Sequence, residues 1–545
     1  MYDFRRRAMF LGPVTKTVPY TPVFIMFPVG LMSMAEYLER NGYKVKVINL
    51  GEKMLSEENL NVERYIKNIE ARFFGVDLHW CVHAQGALEI AKLCKKMHPS
   101  SLVVVGGLTA TGFHEELIST YPFVDGVLRG ECEEPLLKLL DHLDRGEALV
   151  EVPNLTFRGE DGRVKVNPMI KPPKSLDDFS YTRFDLVEPF SRIVKIDHVV
   201  WNIPVCRGCI FNCATCGGSA YSYRKLTGRE NLALRSPEKI VEDFRNIDEY
   251  GMSSVFLFQD VRLGGEHYWR KLFKLLAKER WANIEHMTLE LFLPPEGNFL
   301  DAITEAKPLE RIGMGISPDS GERVRQRQGR RYTDEVVLQT ARAFKERGLS
   351  LGVFFMIGLA DETYQTIEEM WLLWDKLLKI NDPGDMTVGV SFCPMIILDP
   401  FSPAFDEPEK HGYRVRFKTL KEHVKAMSMP SWKHWFNYET NNLSVDDLAD
   451  LTLMSAVKMA EIYGKYGFYT NEMVASEWFR SSLEKAILKE LDKIMKMDKP
   501  SERARALSEL NQTVKDPSLA KLLILSNDEA WDFKDVFNRV KKRKL

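Results

Sequence analysis

The sequence predicts an α/β protein built from two successive strand–helix domains and a helical C-terminal domain. Short apolar runs alternate with helical patterns in residues 1–150 and again in residues 196–400. The intervening residues 151–195 lack this alternation and contain several prolines, which is typical of a connector. From residue 401 to residue 545 the pattern is mainly helical. A chain of 545 residues is too long for one hydrophobic core, which agrees with several domains.

Continuous apolar strands predict a doubly wound sheet in the first domain. The runs are Ala8–Leu11, Val45–Leu50, Phe73–Val76 and Leu102–Val105, and a Gly106–Gly107 pair marks a turn. Strands that are apolar throughout are typical of a parallel sheet with helices on both faces. Ligands of such domains bind beyond the carboxyl ends of the strands.

The second domain is predicted to be a partial (β/α)6 barrel. Ser236 can cap a helix that has Pro237 at its first position, and Gly251 ends that helix. The strand candidates of this domain are Ser254–Phe258, Thr288–Leu293, Arg311–Ile316, Leu351–Ile357 and Met386–Phe392. With the strand that precedes a cysteine-rich segment they make about six units, which fits a barrel better than a second open sheet. Active sites of barrels lie at the carboxyl ends of the strands, where these cysteines follow.

Composition excludes several classes of function. The 75 basic and 77 acidic residues give a formal charge of -2, which argues against a nucleic-acid-binding protein. The basic segment 541–545 is expected to be a solvated tail. No apolar run reaches the roughly 18 residues of a membrane span. The apolar stretch near the start ends at Pro13, too soon for a signal-peptide core, so we expect a cytoplasmic protein.

Four of the eight cysteines lie between residues 206 and 216, and such crowding indicates a metal centre. A zinc site usually separates its two cysteine pairs by about 12 or more residues, whereas here the gap is three. The spacing also differs from that of bacterial ferredoxins. What remains is the Cys-x3-Cys-x2-Cys order of Cys209, Cys213 and Cys216. Three thiolates on a four-iron cluster would leave one iron without a protein ligand.

This spacing, together with Arg207-Gly208-Cys209, resembles the radical SAM superfamily. The resemblance implies a 4Fe–4S cluster on the three cysteines, cleavage of S-adenosylmethionine to a 5'-deoxyadenosyl radical, and an external one-electron reductant of the ferredoxin or flavodoxin type. Cys206 stands where the family usually has serine, so we expect that it is not a ligand. Thr215 stands where an aromatic residue is frequent, which is a departure from the family pattern.

The same resemblance implies cofactor contacts elsewhere in the barrel. Gly217 and Gly218 follow the last cysteine, where the backbone must pass close to the cofactor, although a simple turn is the alternative. Asp260 follows the second strand and is expected either to bind the amino group of S-adenosylmethionine or to cap the strand end. Gly315 and Ser317 lie in a segment similar to Gly-Ile-Glu-Ser of the family, with Ser317 in place of the glutamate.

The first domain resembles the cobalamin-binding domain that is fused to many radical SAM enzymes. The similar segments are Pro28–Leu31, Val105–Thr111 and Arg129–Glu131. The resemblance implies cobalamin contacts at Gly106, Gly107, Thr109 and Glu131.

The usual lower-ligand motif of cobalamin proteins, Asp-x-His-x-x-Gly, does not follow the first strand. Asp77-Leu-His79 follows the third strand instead and has Val82 where glycine is needed, so we interpret it as a chance match. His79 and His83 are expected to be ordinary loop histidines, with the ligand cleft as their alternative position.

The leading hypothesis is a cobalamin-dependent radical SAM enzyme that methylates an unactivated carbon. One alternative is a radical SAM cyclase, cross-linking or other C–H functionalising enzyme with a degenerate cobalamin domain. Another is a non-catalytic cobalamin- or cluster-binding protein. The substrate is expected to be a small or lipid-like molecule. Cys393, at the end of the sixth barrel strand, is expected to be a buried apolar cysteine, with hydrogen-atom donation as the alternative.

Overall fold

The computed structural model describes residues 2–3, 29–50, 53, 60–188 and 200–514. The strand predicted at Ala8–Leu11 and the basic segment 541–545 lie outside these residues. In the described part of the chain, no helix is long and apolar enough to cross a lipid bilayer.

An eight-stranded sheet forms the N-terminal domain. Its strands are β1 (Tyr2–Asp3), β2 (Val47–Asn49), β3 (Phe73–Asp77), β4 (Leu102–Gly106), β5 (Gly126–Leu128), β6 (Leu155–Arg158), β7 (Val164–Val166) and β8 (Val187–Glu188). Its helices are α1 (Val29–Arg40), α2 (Val62–Lys67), α3 (Ala84–Met97), α4 (Leu108–Gly112), α5 (His114–Thr120) and α6 (Glu133–Arg145). The strand order is β7-β6-β5-β4-β3-β1-β2-β8, with β1 paired in parallel to both β2 and β3. From β1 the chain adds β2 on one side, and it then crosses over to add β3, β4 and β5 on the other side. A ligand crevice is expected at this switch point beside β1, outside the carboxyl ends of the strands.

The stretch predicted to be a connector contributes three strands to this sheet. β6 and β7 add an antiparallel hairpin beside β5, and β8 pairs in parallel with β2 at the opposite edge. The connector interpretation of residues 151–195 is therefore wrong for these strands. They are two to four residues long and lie between prolines, so they show none of the periodicity by which strands are recognised.

Six parallel strands form the second domain, as predicted. They are β9 (Val200–Pro204), β12 (Ser254–Phe258), β13 (His286–Leu291), β14 (Arg311–Asp319), β15 (Ser350–Ile357) and β16 (Val388–Pro394). The short strands β10 (Cys206–Arg207) and β11 (Ala233–Leu234) form a separate antiparallel pair. The helices are α7 (Ala220–Thr227), α8 (Pro237–Glu249), α9 (Glu266–Leu276), α10 (Gly297–Ala306), α11 (Glu322–Arg327), α12 (Asp334–Glu346) and α13 (Tyr364–Leu378). Ser236 caps α8 as expected, because its side chain accepts a hydrogen bond from the N–H of Lys239.

Alternate residues of the barrel strands face the interior. On β13, Met287, Leu289 and Leu291 are buried, whereas Thr288 and Glu290 between them are partly exposed. Because successive side chains of a strand point to opposite faces, Glu290 lies on the face opposite to these three apolar residues. That face is the inner face of the barrel, where Glu290 lines a cavity described below.

The C-terminal domain packs helices against the barrel. They are α14 (Pro403–Asp406), α15 (Leu420–Met427), α16 (Val445–Lys465), α17 (Asn471–Met495) and α18 (Pro500–Val514). Two short strands, β17 (Tyr413–Val415) and β18 (Tyr438–Thr440), form an antiparallel pair on either side of α15 in sequence. Ser444 and Asp447 form a capping box at the start of α16. One continuous apolar core extends through the N-terminal, barrel and C-terminal domains.

Candidate active site

The three clustered cysteines lie on one loop between β10 and α7, which we call the cysteine loop (residues 208–219). Cys209, Cys213 and Cys216 are each partly exposed on it. The backbone N–H of Phe211 donates a hydrogen bond to Sγ of Cys209 at 3.4 Å. The N–H of Gly218 donates to Sγ of Cys216 at 3.3 Å. Such N–H donors stabilise a negatively charged sulfur, so the loop suits a thiolate-bound metal centre.

The chemistry of the loop fits an iron–sulfur cluster. Burial, followed by the nearby carboxylate of Asp399, raises the pKa of Cys216 to about 12, so binding of a metal centre at this thiol would release its proton. Within the described ranges, no three Cys, His, Asp or Glu side chains converge on the position of a single metal ion. The three thiols of the cysteine loop are thus not arranged around one metal ion, and the fit to a multi-iron cluster rests on their number, their type and their spacing along the loop.

Cys206 is held apart from the cysteine loop. It is buried, and its Sγ donates a hydrogen bond to Oε1 of Gln259 at 2.7 Å. Burial, followed by the neighbouring Cys209, raises the pKa of Cys206 to about 12. These contacts agree with the expectation that Cys206 is not a ligand.

A segment at the junction of the barrel and the C-terminal domain contacts the cysteine loop; we call residues 398–406 the closing segment. Oδ2 of Asp399 accepts a hydrogen bond from the N–H of Gly217 at 2.9 Å. The N–H of Ala404 donates to the carbonyl of Ala214 at 2.8 Å. Both contacts hold the backbone of the loop next to Cys216.

The closing segment also contacts the N-terminal and C-terminal domains. The ring of Phe401 stacks edge-on against Phe113 at a centroid distance of 4.8 Å. The side chain of Asn437 both donates to the carbonyl and accepts from the N–H of Leu398, at 2.8 Å each. The cysteine loop is therefore held by contacts that join all three domains.

Replacing Asp399 with alanine is expected to reduce iron incorporation partly. The change leaves the N–H of Gly217 without its acceptor, and a hydrogen bond to a charged group contributes about 1.5–3 kcal/mol. Asp399→Asn keeps an oxygen acceptor and should incorporate iron as the unchanged protein does. Asp406→Asn, at the outer end of the segment, is the matched control. Iron and sulfide per chain after anaerobic reconstitution measure the effect, and equal values for all four proteins would contradict it.

A cavity of about 580 Å³ lies between the N-terminal sheet and the barrel. On the N-terminal side it is lined by Gly106 and Gly107 at the end of β4 and by Glu131 after β5. On the barrel side it is lined by Cys206 and Arg207, directly before the cysteine loop. The carboxyl ends of the two sets of parallel strands therefore open into one shared cavity.

The loop after β3 contributes His79 and His83 to the lining of this cavity. Both histidines thus lie at the ligand cleft, which was the alternative to their being ordinary loop histidines. Gly107 lets the backbone of His79 approach the end of β4 closely. Gly107 has a φ of 113°, and a Cβ there would lie 2.6 Å from the backbone nitrogen of His79.

A buried ion-pair network joins the two domains at the edge of the cavity. Arg207 pairs with Glu133, and its Nη1 lies 3.2 Å from Oε2 of Glu131. Nε of Arg229 lies 2.6 Å from the other oxygen of Glu131. Ser33 donates a hydrogen bond to Glu133 at 2.7 Å. Because Arg207 directly precedes the cysteine loop, the network links that loop to the N-terminal domain.

Comparisons with known proteins identify both domains. A family model described as the radical SAM superfamily matches residues 203–372, and one described as the B12 binding domain matches residues 16–140. The chain combines a B12-binding domain with a radical SAM domain. This confirms the resemblance inferred from the motifs, and it implies a 4Fe–4S cluster, S-adenosylmethionine and cobalamin as cofactors.

Curated relatives and solved structures agree with these matches. The chain is 25% identical to the uncharacterized methyltransferase PH0819 of Pyrococcus horikoshii over 350 residues, which cover 63% of this chain and 71% of that protein. It is 23% identical to the anaerobic magnesium-protoporphyrin IX monomethyl ester cyclase of Rubrivivax gelatinosus over 399 residues, covering 70% and 66%. The cobalamin-dependent S-adenosylmethionine radical enzyme OxsB, solved with aqua-cobalamin and S-adenosylmethionine, has a TM-score of 0.60 at 14% identity and covers 99% of this chain and 83% of its own.

In the radical SAM domain, Asp260 has a full set of protein partners. It caps a short 3₁₀ helix, pairs with Arg262 at 2.6 Å, and accepts a hydrogen bond from the N–H of Phe292 at 2.9 Å. The neighbouring Gln259 and the strand residue Glu290 line the cavity instead. The role of Asp260 as a cofactor contact stays a prediction. Its contacts with Arg262 and Phe292 agree with the alternative, a strand-end cap.

Gly315 and Ser317 lie on the inner face of β14. A Cβ on Gly315 would meet no atom within 4 Å, so the barrel interior is open beside it. The backbone carbonyl of Ser317 accepts a hydrogen bond from Arg330. Arg330 also pairs with Asp319 at 2.9 Å, so Asp319 already has a cationic partner in place of a ligand.

In the B12-binding domain, the predicted contacts separate into two groups. Gly106, Gly107 and Glu131 line the cavity. Thr109 instead donates a hydrogen bond to the carbonyl of His79 at 2.9 Å, which fixes the loop after β3.

On the barrel side, the sequence analysis missed Glu290, which lines the cavity. A single carboxylate that alternates with apolar residues in a barrel strand is a recognisable signal.

Replacing Gly107 with alanine is expected to destabilise the B12-binding domain and weaken its binding of cobalamin. The added Cβ would clash with the backbone of His79 in a conformation that costs an L-residue about 1–3 kcal/mol. Gly30→Ala is the control, because a Cβ there meets no atom within 4 Å although Gly30 lines the same cavity. Thermal unfolding of the cofactor-free proteins and absorbance titration with hydroxocobalamin measure both effects. The expectation fails if the two variants behave alike.

Proposed function

We propose that this chain is a cobalamin-dependent radical SAM enzyme that methylates an unactivated carbon atom of a small or lipid-like substrate. The observation that carries the proposal is the shared cavity, into which the B12-binding domain and the strand that leads to the cysteine loop both open. A methyl donor and a radical generator have to act on the same substrate carbon, and this arrangement provides a common space for them. The relative named as a methyltransferase supports the same reaction.

When bound, the cluster and S-adenosylmethionine supply a radical that removes a hydrogen atom, and cobalamin supplies the methyl group. The chain's own residues provide binding and shielding. We propose that Cys209, Cys213 and Cys216 hold the cluster, and that Gly217 and Gly218 let the backbone pass close beside it. Phe256 and Phe258 line the barrel side of the cavity, where apolar rings exclude water.

The remaining parts of the proposal concern partners. A radical SAM enzyme needs an electron donor, and we propose an external ferredoxin- or flavodoxin-type protein for this role. We also propose a cytoplasmic location. The near-balance of 75 basic and 77 acidic residues gives no reason to propose nucleic acid as a partner.

The proposal is tested with anaerobically reconstituted full-length protein and a strong reductant. S-adenosylmethionine should be cleaved to 5'-deoxyadenosine, and added hydroxocobalamin should acquire a protein-bound absorption spectrum. With cell extract as the source of substrate, S-adenosylhomocysteine should accumulate together with 5'-deoxyadenosine. No 5'-deoxyadenosine under any of these conditions would contradict the proposal.

A second candidate function is a cyclase or another radical reaction without methyl transfer. The similarity to the magnesium-protoporphyrin ester cyclase favours it, at slightly lower identity than the methyltransferase relative. In that case 5'-deoxyadenosine would form with extract while S-adenosylhomocysteine would not. The ratio of the two products therefore distinguishes the candidates.

A further inference from the structure

The hydroxyl group of Tyr181 is buried without a partner. The side chain is 1% exposed, and its oxygen makes no hydrogen bond within the described part of the chain. A buried hydroxyl that lacks a partner costs about 1–3 kcal/mol. Most buried polar groups in proteins are hydrogen-bonded, so this exception needs an explanation.

Contacts on two sides fix the ring of Tyr181. The guanidinium of Arg235 lies over the ring, 5.0 Å from its centroid. Arg235 is itself held by Asp243, at 2.6 Å between Nε and Oδ2. The backbone carbonyl of Tyr181 accepts a hydrogen bond from the indole nitrogen of Trp201 at 3.1 Å. The ring therefore cannot turn freely to find another partner.

Tyr181 lines the shared cavity, as do Arg207 and the glycines Gly106 and Gly107 of the B12-binding domain. The charged groups nearby already have partners, because Arg207 and Glu133 pair with each other. The group that meets the hydroxyl is thus expected to be neutral and able to accept or donate a hydrogen bond. A primary amide has this chemistry, and primary amides surround the corrin ring of cobalamin.

We propose that Tyr181 is a cobalamin-binding residue whose hydroxyl pairs with an amide side chain of the corrin. This inference rests on the proposed binding of cobalamin in the shared cavity. The ligand then satisfies a group that the protein buries without a partner. The binding site includes a residue from the stretch between the two domains, beyond residues 16–140 that match the B12-binding family.

The test compares Tyr181→Phe with Tyr463→Phe in the full-length protein. The buried hydroxyl of Tyr463, in the C-terminal domain, donates a hydrogen bond to the carbonyl of Val390 at 2.7 Å. It also accepts a hydrogen bond from the N–H of Val390 at 2.8 Å. Loss of one hydrogen bond to the ligand should weaken hydroxocobalamin binding roughly threefold to tenfold in Tyr181→Phe. Because no protein contact is lost, cofactor-free Tyr181→Phe should unfold at the same temperature as the unchanged protein or a higher one. Tyr463→Phe should unfold at a lower temperature and bind hydroxocobalamin normally.

Absorbance titration and thermal unfolding give separate readouts. Unchanged hydroxocobalamin binding by Tyr181→Phe would overturn the inference, and so would a loss of stability as large as that of Tyr463→Phe. If the unchanged protein bound no hydroxocobalamin, the proposed function itself would fail in its cobalamin-dependent form. The two failures are therefore distinguishable.

Discussion

Replacing Cys213 with alanine is expected to abolish both cluster assembly and the formation of 5'-deoxyadenosine. Cys213 lies in the middle of the cysteine loop, and its neighbours Cys209 and Cys216 cannot hold a cluster by themselves. The nearby Cys206 is not expected to replace Cys213 as a ligand, because it is buried and hydrogen-bonded to Gln259. Iron and sulfide per chain, the electron paramagnetic resonance signal of the reduced protein, and product formation measure the effect.

The matched control for this variant is Cys206→Ser. Serine keeps a hydroxyl that can donate to Oε1 of Gln259, as Sγ of Cys206 does now at 2.7 Å. The control should therefore assemble the cluster and cleave S-adenosylmethionine at close to the normal rate. A Cys213→Ala protein that still cleaved S-adenosylmethionine, or a Cys206→Ser protein that lost its iron, would contradict the ligand set.

Replacing Glu133 with glutamine is expected to cause the largest loss of stability among single changes in the ion-pair network. Arg207 is largely buried, and loss of one member of a buried pair costs about 3–5 kcal/mol because a charge is left without its partner. Glu131 still lies beside Arg207, so we expect a loss near the lower end, about 3 kcal/mol. Denaturant unfolding of the cofactor-free protein at neutral pH measures it.

The neighbouring Glu134 provides the control for this prediction. Its side chain is 52% exposed and pairs with Lys138 on the surface of α6. Surface pairs of this kind contribute at most about 1 kcal/mol, so Glu134→Gln should change the free energy of unfolding very little. Equal losses for the two variants would show that the buried network is not the cause.

The contribution of Glu133 should also depend on pH. Burial alone would raise the pKa of Glu133, but the charge of Arg207 and hydrogen bonds from Arg207 and Ser33 outweigh it and lower the pKa below its usual value. A carboxyl whose pKa is lower in the folded state stabilises the fold above its unfolded pKa, and this contribution is lost as the pH falls. The difference in unfolding free energy between the unchanged protein and Glu133→Gln should therefore shrink as the pH falls below about 4.5. A constant difference would contradict the role of the charge.

The parts of the site that the sequence predicted are those encoded in short segments. The cysteine loop places its three thiols within eight residues, so spacing alone indicated their chemistry. The barrel strands were predicted well because each is apolar and is followed by a helix; β12 has the bounds expected, Ser254–Phe258. The fold class and both domain families are confirmed.

Contacts between distant segments could not be predicted in this way. Tyr181 and Asp399 reach the site from a proline-rich stretch and from the end of the barrel, and nothing in their local sequence indicates which distant residues they contact. Asp260 was expected either to bind the amino group of S-adenosylmethionine or to cap the strand end. In the structure its carboxylate pairs with Arg262, while the neighbouring Gln259 lines the cavity.

The closing segment has a consequence for the order in which the protein matures. The acceptor for the N–H of Gly217 lies 182 residues further along the chain, at Asp399. During synthesis the cysteines therefore emerge long before the segment that holds their loop. Iron delivered early would meet an open, mobile set of thiols, whereas a completed chain offers them in a supported loop. Stable cluster insertion is thus expected to follow synthesis and docking of the C-terminal domain.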